Sequence, residues 1–167
     1  MTVAWRSVPA PLRTLARWVT IVQVVGYTTS LVFVWHTTGL VPPGVATRYR
    51  GADPLATQGA MQFPKSFAEM LTITHTHLLS MAVIFLLTGL GVALCERLSE
   101  RRKRWLIAEP FVALLLSFSA MWLMRYVDPR FSWLLEASSA VLAVTFYVQS
   151  YLILRELRRA EREGSRV

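Results

Sequence analysis

Four long apolar runs alternate with short polar and basic segments along the chain. They cover about residues 17–37, 69–94, 105–124 and 131–154. A helix of about 20 apolar residues crosses the hydrocarbon core of a bilayer, and a helix satisfies its own backbone hydrogen bonds there. The pattern therefore predicts an all-α integral membrane protein, a four-helix bundle that forms one transmembrane domain over residues 1–167.

The composition agrees with lipid, rather than water, as the surroundings of the chain. Of the 167 residues 54% are hydrophobic and 17% are charged, and the mean hydropathy is +0.42. The net charge of +8 is dispersed in short clusters between the apolar runs, whereas nucleic-acid binding needs one continuous basic face. We expect the lipid bilayer as a partner and no nucleic acid.

The single cysteine, Cys95, lies where the second apolar run meets Glu96 and Arg97. One cysteine can form neither an intrachain disulfide nor the Cys-x-x-Cys-His motif that attaches haem covalently. We expect Cys95 to be a core or interface thiol.

Lysine and arginine set the expected orientation of the spans. With both termini cytoplasmic, thirteen of the eighteen Lys and Arg residues lie on the cytoplasmic side and five on the other. Cytoplasmic flanks of membrane proteins carry this excess of positive charge. We therefore predict a multi-pass protein of the bacterial inner (cytoplasmic) membrane with both the N- and the C-terminus in the cytoplasm.

One connection is much longer than the other two. Residues 38–67 join the first two spans on the predicted outer side. Connections longer than about 15 residues are usually functional or disordered, and this one contains several Pro and Gly residues. We expect a long, ordered outer loop that folds as an irregular cap.

The second span begins with a helix-start signal next to two histidines. Pro64 and Ser66 precede Glu69 in the order of a capping box. The predicted topology brings further polar residues to the same side. These are His36 at the end of the first span, Glu69, His75 and His77 at the start of the second, Arg125, Tyr126 and Asp128 after the third, and Glu136 in the fourth.

The histidines leave three chemical interpretations open. His75 and His77 point about 200° apart on a helix, so they cannot chelate one ion together. A haem b whose iron is held by His36 and His77 between helices is consistent with bundle chemistry. The alternatives are histidines that bond loop carbonyls and bind no cofactor, and a copper or zinc site near the same cluster.

The charged residues of the predicted outer side have two interpretations. Arg125 pairs with Glu136 or Asp128 in ordinary charge neutralisation, or the group forms a quinone or proton site in which Glu69 or Glu136 exchanges protons with the outer phase. Cofactor-binding candidates are therefore His36, His75, His77, Glu69 and Arg125.

Several short strings resemble a family of small four-span bacterial membrane proteins. They are TRYRG at 47–51, FPKSFAEML at 63–71, THTH at 74–77, RYV at 125–127 and FSWLLE at 131–136. The resemblance runs from about Trp35 to Glu136 and rests on Tyr-Arg-Gly, Pro-Lys-Ser-Phe and Thr-His-x-His motifs. It implies a companion of electron-transfer or cytochrome systems. It also marks Arg50, Lys65, Glu69, His75 and His77 as motif positions.

Two functions follow as expectations. The chain is a membrane subunit associated with electron transfer that binds haem b or quinone, or a non-catalytic accessory subunit of a larger respiratory or photosynthetic complex. In both cases its partners include other membrane subunits, and it is not an enzyme on its own. A transporter has less support, because the spans show neither broken helices nor paired repeats.

Overall fold

The computed structural model describes residues 4–52 and 61–164, and these residues fold as helices without strands. A 3₁₀ turn at Trp5–Ser7 precedes five α-helices. They are α1 (Ala10–Thr38), α2 (Pro42–Arg50), α3 (Phe67–Ala93), α4 (Glu100–Tyr126) and α5 (Phe131–Gly164). Helices α1, α3, α4 and α5 are long and apolar enough to cross a membrane. The predicted all-α fold with four spans is confirmed.

Both ends of the bundle can be named by what lies there. Arg17 of α1 forms an ion pair with Glu161 of α5, and the indole nitrogen of Trp5 donates to the carbonyl of Gly91 near the end of α3 at 3.0 Å. The two ends of the chain therefore meet at one end of the bundle, called here the termini end. The opposite end carries α2 and is called the cap end.

Local signals set where the spanning helices begin. Ser66 caps α3, its hydroxyl accepting from the backbone of Glu69 at 3.2 Å, while the Glu69 carboxylate accepts from the backbone of Ser66 at 2.8 Å. The predicted capping box is thus confirmed. Ser99 caps α4 in the same way by accepting from the backbone of Arg102, so polar turns start both helices before the apolar residues begin.

The connection expected to be irregular contains a helix, which corrects that part of the prediction. Helix α2 begins with Pro42 and Pro43 in its first turn, where a missing backbone N–H costs no hydrogen bond. Proline and glycine were interpreted as loop signals, but the prolines stand at the one place in a helix that favours them. Residues 53–60 of the expected loop lie outside the described part of the chain.

Three apolar clusters fill the bundle from one end to the other. The termini-end cluster is formed by Trp5, Val92, Cys95, Leu106, Ile153, Leu157 and Ala160. The central cluster is formed by Phe85, Ala113, Leu114, Leu142 and Phe146. The cap-end cluster is formed by Val45, Met70, Met121 and Met124. Helix α5, whose main partner is α4, also packs against α1, α2 and α3.

Helix α1 joins this core only along part of its length. Val24 and Tyr27 pack against the central cluster, and the Tyr27 ring stacks on Phe146 with the ring centroids 4.3 Å apart. Among the described residues, the cap-end cluster and the side chains around it include none from α1. The half of α1 beyond Tyr27 is therefore largely exposed, with Phe33 59% and Trp35 62% accessible.

A proline inside α4 is compensated by a side chain of α5. Pro110 has no N–H to donate to the carbonyl of Leu106, four residues earlier. The fully buried amide of Gln149 donates to that carbonyl at 2.6 Å. An unsatisfied carbonyl inside a membrane is costly, so this bond explains a glutamine in the core of the fourth span.

Candidate functional site at the cap end

Helix α2 closes the cap end of the bundle. Its Val45 is buried against Met70 of α3 and Met121 and Met124 of α4. Arg50, at the end of α2, donates through Nη1 to the backbone carbonyl of Met124 at 2.8 Å. The last carbonyls of a helix have no partner within it, and a cation there also interacts favourably with the helix dipole. Arg50 therefore caps α4.

Arg125 does not form the ion pair with Glu136 or Asp128 that was expected, and this interpretation is wrong for the described residues. Its Nε donates to the backbone carbonyl of Lys65 at 2.9 Å, and its guanidinium lies 4.9 Å from the centroid of the Tyr126 ring. The guanidinium thus fixes the segment that leads into α3. The physical reason is that the loop before α3 passes over the end of α4 and supplies a nearer acceptor.

Lys65 and Glu69 join the same network. The Lys65 ammonium lies 2.8 Å from the Glu69 carboxylate, and the Lys65 backbone donates to the carbonyl of Tyr49 at 2.9 Å. Burial raises the pKa of the Tyr49 phenol above its ordinary value. Arg50, Lys65, Glu69 and Arg125, four of the predicted site residues, are thereby brought together as structural ties between α2, α3 and α4.

The three histidines lie outside this network. His36, His75 and His77 are all exposed on the surfaces of α1 and α3. No hydrogen bond or ion pair engages the side chains of His36 and His75 within residues 4–52 and 61–164. The same ranges hold no group of three or more His, Cys, Asp or Glu residues that could hold a metal ion.

His77 is held in one orientation by its own helix. Its Nδ1 lies 2.9 Å from the backbone carbonyl of Ile73, one turn earlier. Because a carbonyl oxygen only accepts, Nδ1 must carry the proton, and in the neutral imidazole Nε2 is then the unprotonated nitrogen. Histidine ligands of metals commonly make this bond with the nitrogen that is not the ligand.

The position of His77 along the bundle is fixed by the packing of α3 on α4. The indole nitrogen of Trp122 donates to the Thr74 hydroxyl at 2.9 Å, and the His77 ring lies 6.3 Å from the ring of Phe118. Aromatic residues of α4 therefore support the turn of α3 that carries the histidines. The His77 side chain remains exposed beside this contact.

Glu136, the remaining candidate, lies half-buried on the second turn of α5. Its carboxylate makes no hydrogen bond or ion pair with any other described residue. It is therefore separate from the network that ties the cap together.

Sequence reasoning missed one titratable group at the other end. It placed nearly all such groups of the spans on the outer side, but Glu109 lies in the termini half of α4. Both Glu109 carboxylate oxygens are buried and have no hydrogen-bond partner among the described residues, and the same holds for the free oxygen of Gln149. A glutamate directly before Pro110 within an apolar run was the available signal.

The fold and the cap end define a class: a small helical membrane protein with four membrane-spanning helices and a short helix over one end. Residues 39–164, most of the chain, match the model of the Aq_1264_TM family, described as a transmembrane helical domain, and the chain belongs to this family. The match begins directly after α1. Neither the curated proteins nor the solved structures gave a match.

Proposed function

We propose that the chain is a membrane subunit associated with electron transfer that binds haem b at its cap end, where His77 would hold the iron. The orientation of the imidazole is the observation that carries this proposal. The Nδ1–H bond to Ile73 at 2.9 Å directs the unprotonated Nε2 away from the helix backbone. A neutral imidazole nitrogen on a bundle helix is the usual ligand of a b-type haem iron.

His77 shares its face of α3 with Ile73 and Met81, one turn away on either side, and these pack against the cap-end and central clusters. Because His77 is still exposed, we place the haem at the open edge of that face, beside α4. The interior is filled by the central and cap-end clusters. The half of α1 beyond Tyr27 stands clear of the cap-end cluster and carries His36, which supplies the second imidazole in this proposal. The iron provides one-electron chemistry when haem is bound, and the chain provides the imidazoles and an apolar environment.

A quinone is the alternative ligand of the same surface. An unprotonated His77 Nε2 accepts a hydrogen bond from a quinol hydroxyl, and the apolar residues Ile73 and Met81, one turn before and after it, lie on the same face of α3. Glu136 is then the candidate for proton exchange.

An optical spectrum of the purified full-length protein tests the haem proposal. We expect reduced-minus-oxidised Soret and alpha bands that disappear in His77→Ala and in His36→Ala. His75→Ala is the matched control, since His75 is also exposed but projects from another face of α3, and it should keep the bands. A colourless wild-type protein, or bands that persist in His77→Ala, would refute the proposal.

The exposed half of α1 supports a second function, that of a non-catalytic subunit of a larger respiratory or photosynthetic complex. Val32, Phe33 and Trp35 are at least half exposed, and exposed apolar helix faces in a membrane contact either lipid or another subunit. A colourless protein that copurifies with large subunits would support this function. The copurification should be lost in Phe33→Ala/Trp35→Ala. Trp105→Ala, 61% exposed at the other end, is the control.

A further inference from the structure

The lipid-facing side of α5 changes from apolar to basic along a single line. Val144, Val148 and Tyr151 are exposed at 63%, 40% and 62%. Arg155, Arg158 and Arg162 continue the line and are also exposed. Steps of three and four residues keep all six on one face of a helix. This face therefore presents aliphatic carbon, then an aromatic ring, then guanidinium groups, in that order.

A groove accompanies the basic part of this face. It has a volume of about 350 Å³ and is lined by Tyr151, Leu154, Arg155, Arg158, Arg159 and Arg162. Arg159 lies 3.8 Å from the Glu156 carboxylate. Among the described residues, no carboxylate forms an ion pair with Arg155 or Arg158, so the positive charge of these two residues is available to a ligand.

We propose that this groove is a binding site for the phosphate headgroup of an anionic phospholipid. Cationic side chains bind phosphate oxygens through charge-assisted hydrogen bonds, and basic pockets at the membrane surface bind anionic headgroups. Tyr151 lies at the level where aromatic residues mark the interface. The acyl chains of the same lipid lie along Val144 and Val148. This site is independent of the proposed haem.

Native mass spectrometry of the full-length protein in detergent tests the proposal with dioleoyl phosphatidylglycerol and dioleoyl phosphatidylcholine as probes. We expect the wild type to retain phosphatidylglycerol in preference to phosphatidylcholine. Arg155→Gln/Arg158→Gln should weaken phosphatidylglycerol binding by roughly 30-fold, because each cation near an anionic surface contributes about fivefold.

Two further double variants distinguish a specific binding site from non-specific electrostatic attraction. Arg101→Gln/Arg102→Gln removes the same charge from exposed positions of α4 at the same end and should weaken binding by less than about threefold. Arg155→Lys/Arg158→Lys should keep most of the binding, since lysine also binds phosphate.

Four results would overturn the proposal. They are equal losses in the two Gln pairs, no preference for phosphatidylglycerol, a Lys pair that binds as poorly as its Gln counterpart, and full displacement of phosphatidylglycerol by millimolar inorganic phosphate. The last result would identify a site for a small anion instead of a lipid.

Discussion

At the scale of residues, the carbonyl of Leu106 shows how a side chain of one helix can satisfy a backbone group that a proline leaves unpaired in another helix. Pro110 withdraws the donor that this carbonyl needs, and Gln149 of α5 supplies a new one at 2.6 Å. The two residues are far apart in the sequence, so their relation became visible only in the folded bundle. The sequence showed a glutamine in an apolar run but could not indicate its acceptor.

Gln149→Leu should lower the stability of the bundle by about 1–2 kcal/mol, because the Leu106 carbonyl is left without a donor. Pro110→Ala restores the backbone N–H that a regular helix uses. In Pro110→Ala/Gln149→Leu most of the loss should therefore disappear. Unfolding of the four proteins in detergent, compared as a double-mutant cycle, measures this coupling. Losses that simply add would show that Gln149 does not act through Leu106.

Cys95 reports on the docking of Trp5. Burial, followed by the nearby negative charge of Glu156, raises the pKa of Cys95 from its ordinary 9.0 to about 12. Only the thiolate reacts with alkylating reagents, so at pH 8 the folded protein should react about a thousandfold more slowly than an exposed thiol. The rate should rise as pH increases towards 12.

Trp5→Ala opens the contact that covers Cys95 and should accelerate its alkylation at pH 8. Trp18→Ala, a change at an exposed position of α1 (61% accessible), is the control and should leave the rate unchanged. Mass spectrometry of the alkylated protein measures both. Equal rates in the wild type and Trp5→Ala would contradict the docking of the N-terminal segment.

At the scale of elements, the tight turn between α1 and α2 depends on a glycine. A Cβ at Gly44 would overlap the backbone carbonyl of Thr38, whereas a Cβ at Gly26 meets nothing within 4 Å. The two positions give opposite expectations for the same substitution. The space for an added methyl group decides the effect at Gly44, and helix propensity decides the effect at Gly26.

Gly44→Ala should therefore destabilise the protein by about 2 kcal/mol or more, since backbone atoms must move to admit the methyl group. Gly26→Ala should leave stability unchanged or raise it by about 0.5–1 kcal/mol. Thermal unfolding in the same detergent compares them. A Gly44→Ala protein as stable as the wild type would show that α2 does not pack against the end of α1 as described.

The spanning helices were predictable because their length and hydrophobicity reflect the thickness of a bilayer. The capping box at Ser66 and Glu69 was predictable as well, since it is a local signal. Helix α2 was missed because Pro42 and Pro43 indicate loops and helix starts alike. The bond from Arg125 to Lys65 could not be predicted, since it depends on where the α2–α3 connection crosses the end of α4.

At the scale of the whole molecule, the two ends of the bundle differ in chemistry. The cap end ties α2, α3 and α4 together through Arg50, Lys65, Glu69 and Arg125 and exposes the histidines beside this network. The termini end carries most of the basic residues and the proposed lipid site. Helix α1 contributes His36 but precedes the family match at residues 39–164, so the proposed haem site combines this helix with the family domain.

The different chemistry of the cap end and the termini end requires that the bundle has a defined orientation in the membrane. The excess of Lys and Arg predicts the termini end in the cytoplasm and the cap end, with its histidines, outside. Single cysteines placed in a Cys95→Ala background can test this directly. Gln62→Cys lies at the cap end and Arg101→Cys at the termini end, and both positions are exposed.

Labelling of intact cells with a membrane-impermeant maleimide is the decisive measurement. The account predicts that Gln62→Cys reacts in intact cells and that Arg101→Cys reacts only after the membrane is permeabilised. Labelling of Arg101→Cys in intact cells, with Gln62→Cys protected until permeabilisation, would contradict it.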